Sequence, residues 1–167
     1  MSRSALEPYA VSAYNSARES ENKIHDDEVA RKFGFGGGLV PGVDVYAYMA
    51  HMPVAAWGRD WLTRGRAECR FFKPVYDGEI ATVTAREDAS GIAIEVTSRG
   101  ELCATGHSVL PAEPPAVPGL AGFGGAGPPD IRPAADEATL AEGTRMAIRP
   151  LQVSAELAAR YLQDLRE

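Results

Sequence analysis

Apolar positions change period along this 167-residue chain. From Val43 to Trp57 nearly every residue is apolar, and a helix that is hydrophobic all round is a central, buried one. Pro53 is expected to kink or end this helix and Gly58 to close it, while Asp44 in the first turn suits the positive end of the helix dipole. From Gly65 the period falls to two. Ala67, Cys69 and Phe71 alternate with Arg66, Glu68 and Arg70, the pattern of a half-buried strand. Further strands are predicted over Ile80–Ala85, around Ile92, Ile94 and Val96, and over Leu102–Leu110, with turns at Asp77-Gly78, Asp88–Gly91 and Arg99–Glu101. Four strands joined by short loops predict an antiparallel meander. An antiparallel sheet that follows one apolar helix predicts an α+β layout, with the sheet wrapped around the helix at about 43–57.

Upstream, Pro8–Val11 suits an edge strand, and Ser12 is placed to cap a helix over Ala13–Ser20. Asp26 or Asp27 can cap a second short helix through Phe33, which Gly34 would stop. Gly36, Gly37 and Gly38 permit a tight passage, although glycine count alone reads as a flexible loop; no GxGxxG or Walker pattern surrounds them. His51 reads as a hydrogen-bonded histidine at the margin of the central helix. Downstream, residues 111–133 hold seven of the twelve prolines and five glycines, the composition of a linker or surface arm. The expected organisation is a domain over 1–110, a Pro/Gly-rich linker or arm over 111–142, and a strand and helix over 143–167. Pro8–Arg18 aligns without gaps on Pro150–Arg160 with six of eleven positions identical, and both copies read as strand, serine cap and helix. That match suggests the start of a second copy of the same domain.

Composition narrows the function. The formal net charge of −6 argues against a general nucleic-acid or anionic-membrane binder. Cys69 and Cys103 lie in no CxxC or Cys/His spacing, which gives neither a disulfide framework nor a metal site. The first ten residues lack the apolar core of a signal peptide, and the longest apolar run is too short to span a bilayer, so a cytoplasmic protein is expected.

Candidate chemistry concentrates in Glu19–Met49, where a histidine loop precedes three glycines and the Pro41-Gly42 step into the central helix. The start of a buried helix offers unpaired N–H groups, and a histidine can move a proton near neutral pH. Ser20-Glu21-Asn22-Lys23-Ile24-His25, Glu28–Phe35, Leu39–Gly42 and Phe71-Phe72-Lys73-Pro74-Val75-Tyr76-Asp77-Gly78 together resemble the MaoC-like dehydratases, which include the (R)-specific enoyl-CoA hydratases of the hot-dog fold. The resemblance covers about residues 9–110. It implies a hot-dog fold, an acyl-CoA thioester as ligand with no cofactor beyond the coenzyme A of the substrate, and pairing as a homodimer or with a second hot-dog repeat. His25, Asn22 and Gly42 match the family motif. Ser20 stands where the family has its catalytic aspartate, Lys23 where it has proline, and Pro41 where it has histidine.

On that resemblance His25 is the general acid or base, with Glu19 or Glu21 replacing the carboxylate missing at Ser20. Asn22 lies in the binding loop, and the N–H groups at Gly42 and Val43 hold the developing enolate oxygen. Arg66, Arg70 and Lys73 form a basic group suited to the phosphates of coenzyme A, or else a solvated strand face. Two functions follow: a lyase that hydrates a 2-enoyl thioester or runs the reverse dehydration, and a non-catalytic acyl-binding or structural lobe of a double hot-dog protein. A hot-dog thioesterase shares the fold but has no motif of its own here.

Overall fold

The computed structural model describes residues 6–18, 23–116, 130–144, 146 and 152–165. The chain divides into two compact units, one running to Pro115 and the other from Ala116 to Gln163. The first contains β1 (Tyr9–Ser12), a 3-10 turn (Lys23–His25), α1 (Asp27–Lys32), α2 (Gly42–Trp57), α3 (Arg59–Arg64), β2 (Arg66–Phe71), β3 (Ile80–Glu87), β4 (Ile92–Ser98) and β5 (Glu101–Val109). The strands form one antiparallel sheet in the order β1-β3-β4-β5-β2.

Side chains alternate across the central strands as a period of two requires. Ala81, Val83 and Ala85 of β3, and Ile92, Ile94 and Val96 of β4, all face Val45, Tyr48, Met49 and Met52 of α2. Each large side chain so buried contributes about 1.5–3 kcal/mol. At Gly106 the sheet comes so near the helix that a Cβ would lie 2.5 Å from Met49 Cε. A sheet wrapped on one central helix is the α+β hot-dog architecture.

Four details differ from the sequence expectation. First, α2 is buried on one face only: Asp44, Val45, Tyr48, Met49, Met52 and Pro53 are covered, while Val43, Ala47, His51 and Ala55 on the opposite side are exposed. Five strands can cover only one side of a helix. The helix also runs through Pro53 to Trp57, where Gly58 at φ 61° ends it and α3 begins; the sequence reading had no helix there. Second, all of β2, an outer strand of the sheet, is exposed where a half-buried strand was expected. Third, only β3, β4 and β5 form the meander, and β2 lies beyond β5. The connection after β2 crosses the start of α2: Phe72 and Lys73 N–H donate to Cys103 O (2.8 and 3.2 Å), and Val40 N–H donates to Val75 O (2.9 Å). Fourth, no helix forms over 13–18. Ala13 N–H donates to Glu79 O (2.8 Å) and Asn15 N–H to Asp77 Oδ1 (2.8 Å), which draws the segment onto the turn before β3.

Further along the chain, α4 (Ala155–Leu165) starts where expected, with Leu157 N–H donating to Ser154 Oγ (3.1 Å). Of the stretch before the helix where a strand was expected, 145 and 147–149 lie outside the described residues, as do Pro150 and Leu151 of the repeated segment. Among the described residues no helix is long and apolar enough to cross a membrane.

Candidate functional site

The loop between β1 and α2 is folded back on itself by local chemistry. Asp26 caps α1, its Oδ1 accepting from Glu28 N–H (3.0 Å) and Val29 N–H (3.1 Å). After α1 the chain turns at Gly34 (φ 87°), and the glycine run returns alongside the 3-10 turn. Gly38 N–H donates to Asp27 Oδ1 (2.7 Å), and Gly36 N–H donates to Tyr76 Oη (3.1 Å). A Cβ on Gly38 would sit 2.5 Å from the His25 carbonyl oxygen, so that position requires glycine. The run is a close approach of two backbones, the first of its two sequence readings.

His25 lies half-buried at this junction. Its Nδ1 is 2.7 Å from Leu39 O. A carbonyl can only accept, so Nδ1 carries the proton, and the neutral ring keeps its lone pair on Nε2. Asn15, itself buried, donates from Nδ2 to His25 O (2.7 Å). Leu39 lies three residues before Gly42, which ties the ring to the stretch that opens α2. Pro41 occupies the N-cap of α2 without a side-chain cap. Among the described residues nothing accepts from the N–H groups of Gly42 and Val43. The Phe71 ring packs over Gly42, where a Cβ would be 3.5 Å from Cε2, and Val43 is exposed.

The other residues singled out from the sequence are placed as follows. Glu19, Ser20, Glu21 and Asn22 lie outside the described residues. Arg66 and Arg70 are on the face of β2 turned away from α2, since Cys69 opposite Gly106 points toward the helix and strand side chains alternate. Lys73 is engaged by Glu101. His25 is therefore tied to Leu39, three residues before Gly42, whereas the two arginines are on the outer face of the sheet. A hollow of about 360 Å³ runs along β2 and β5, lined in part by Glu68, Cys69, Arg70 and His107. His51 does not behave as expected: its ring stacks on Tyr9, centroids 3.9 Å apart and planes 6° from parallel.

The sequence reading missed three groups. Asn15 and the buried Asp44, which accepts from Ser16 Oγ, border the His25 loop. His107 of β5 meets the tip between β3 and β4, its Nε2 3.1 Å from Asp88 Oδ2 and 3.2 Å from Ser90 Oγ. Both address the same ring nitrogen, so these three residues form no nucleophile–base–carboxylate relay. Among the described residues no group of histidines, cysteines or carboxylates could hold a metal ion. Cys69 and Cys103 are free thiols, and burial pushes that of Cys103 up.

No protein-family model matches the chain, and no curated protein does. Several solved structures resemble it. One is a MaoC-like dehydratase from Rhodospirillum rubrum, at 18% identity over 64% of this chain and 87% of that one (TM-score 0.49). Another is an (R)-hydratase from A. caviae involved in PHA biosynthesis, at 17% identity over 66% of this chain and 95% of that one (TM-score 0.42). A third is a thioesterase from Thermus thermophilus complexed with coenzyme A and Zn, at 26% identity over 48% of this chain and 74% of that one (TM-score 0.38).

Proposed function

We propose that the first unit binds an acyl-CoA thioester and hydrates a 2-enoyl thioester, or dehydrates the 3-hydroxyacyl thioester in reverse. The observation that supports this reading is the His25 ring, held through Nδ1 on Leu39 O three residues before α2 opens, which leaves Nε2 as the base. In hydration, Nε2 takes a proton from water and the hydroxide adds to C3. The C2–C3 π electrons move onto the thioester oxygen, which the N–H groups of Gly42 and Val43 stabilise as it becomes an enolate. The enolate then collapses as C2 takes the proton back from the imidazolium, and His25 ends neutral. Donors placed in this way are worth on the order of 10²–10³-fold in rate. Glu19 or Glu21 supplies a carboxylate to the same water. No cofactor enters beyond the coenzyme A of the substrate, and two copies pair edge to edge through β2.

The second reading, a lobe that binds acyl thioesters without converting them, is favoured by one observation: Ser20 takes the place of the motif carboxylate. Loss of one member of an acid/base pair costs about 10²–10⁴-fold. The enoyl-thioester absorbance decides between the two. Hydratase activity predicts that the purified protein bleaches it and that His25→Ala abolishes the change. Binding of acyl-CoA with no turnover at any chain length rejects the enzyme in favour of the lobe.

A further inference from the structure

Two buried polar side chains beside the candidate site take no part in the proposed reaction, and a single step of backbone joins their contacts. Asp44, in the first turn of α2, is 2% exposed and accepts from Ser16 Oγ. Asn15, next to Ser16, is 3% exposed and donates to the His25 carbonyl at 2.7 Å. His25 in turn donates from Nδ1 to Leu39 O, and Leu39 leads through Val40 and Pro41 back into α2. The contacts therefore close a ring: Asp44 to Ser16, Asn15 to His25, His25 to Leu39, and the chain from Leu39 to Asp44. Three segments distant in sequence meet in it, and the histidine is held at both its backbone and its ring.

We infer that Asn15, Ser16 and Asp44 form a clasp that positions the His25 imidazole relative to the N–H groups of Gly42 and Val43. None of the three needs to touch substrate; they are positioning residues. A bare backbone loop would leave the ring free to choose either tautomer. The clasp holds the loop at the distance from Leu39 at which only the Nδ1–H form is bonded. Asp44 is suited to this because a carboxylate in the first turn is favoured by the helix dipole while it anchors the Ser16 hydroxyl. The catalytic consequence rests on the proposed role of His25, but the state of the ring is measurable without it.

The test combines long-range proton–nitrogen NMR of the His25 ring with steady-state kinetics on an enoyl-CoA. Wild-type protein is expected to show one neutral tautomer, protonated at Nδ1. Ser16→Ala and Asn15→Ala should give mixed or exchange-broadened ring signals. They should also lower kcat roughly tenfold or more with KM within about twofold, because a displacement of about 1 Å can cost on the order of 10²-fold in rate. Asp44→Asn keeps an acceptor oxygen for Ser16 and should preserve the ring signals, whereas Asp44→Leu should not. Ser16 is at the surface, so Ser16→Ala is decisive even where Asp44→Leu does not fold. Ring signals unchanged in both Ser16→Ala and Asn15→Ala would overturn the clasp. Absence of turnover by the wild type counts against the hydratase reading instead, and the ring signals still decide the clasp.

Discussion

Asp88 closes the tip between β3 and β4 by accepting from the Ser90 N–H and hydroxyl, the Gly91 N–H and the His107 ring. These bonds, the Ser90 backbone N–H foremost, hold its carboxyl far below the usual value of 3.8. A carboxyl depressed in the folded state adds stability that is fully present above the unfolded value and is lost as pH falls toward the folded one. Asp88→Asn should therefore lower the urea midpoint at neutral pH, and its gap to wild type should narrow as pH is taken below about 4. A gap that stays constant with pH would mean the carboxylate charge is not what holds the tip. At this scale the sequence was informative where a spacing carries chemistry. His25 and Gly42 stand out because a motif fixes the interval between a proton-transfer group and a helix start. The partners of His25 were not legible. Asn15 and Leu39 are ten and fourteen residues away, and only the folded loop brings them together. Gly38 has no signature distinct from its neighbours either, since the carbonyl that forces it to be glycine comes from another segment.

The secondary-structure elements follow from period. Alternation located β3 to β5 to within a few residues, and the apolar run located α2, because both patterns are consequences of local geometry. Burial is set by what covers an element, and the sequence does not carry that directly. The same apolar density that promised a helix covered all round belongs to one with a covered stripe and an exposed one. Ser12 likewise promised a helix, but the turn before β3 captures the N–H groups that a helix would have left open at its start. On the covered stripe, Met52 is 1% exposed and packs in the core between α2 and the sheet. Met52→Ala should destabilise the protein by about 2–5 kcal/mol, measured by urea unfolding. A loss well under 1 kcal/mol would show that the core closes around the gap.

For the molecule as a whole, two features of the first unit belong together. Among the described residues no strand pairs with the outer edge of β2, and natural sheets usually cover or protect such an edge. Phe71 and Phe72 at its end, Leu102 beside them and Val43 at the start of α2 are exposed apolar side chains. Pairing through β2 would cover them, and sedimentation at micromolar concentration should show a dimer that Phe72→Glu converts to a monomer. A wild-type protein that sediments as a monomer at every concentration would reject the pairing. The strand order also dictates a sequence of events. The β3–β4 and β4–β5 hairpins are local, but Tyr9 must find Val83 and Arg66 must find Val109, pairs far more distant along the chain. Closing such long loops carries an entropic cost before any contact rewards it, so the outer strands dock after the hairpins have formed. Asn15 lies three residues beyond β1, so its bond to the His25 carbonyl forms as β1 docks. Protein caught before β1 docks would carry the two central hairpins and lack the Asn15 bond that holds the His25 loop.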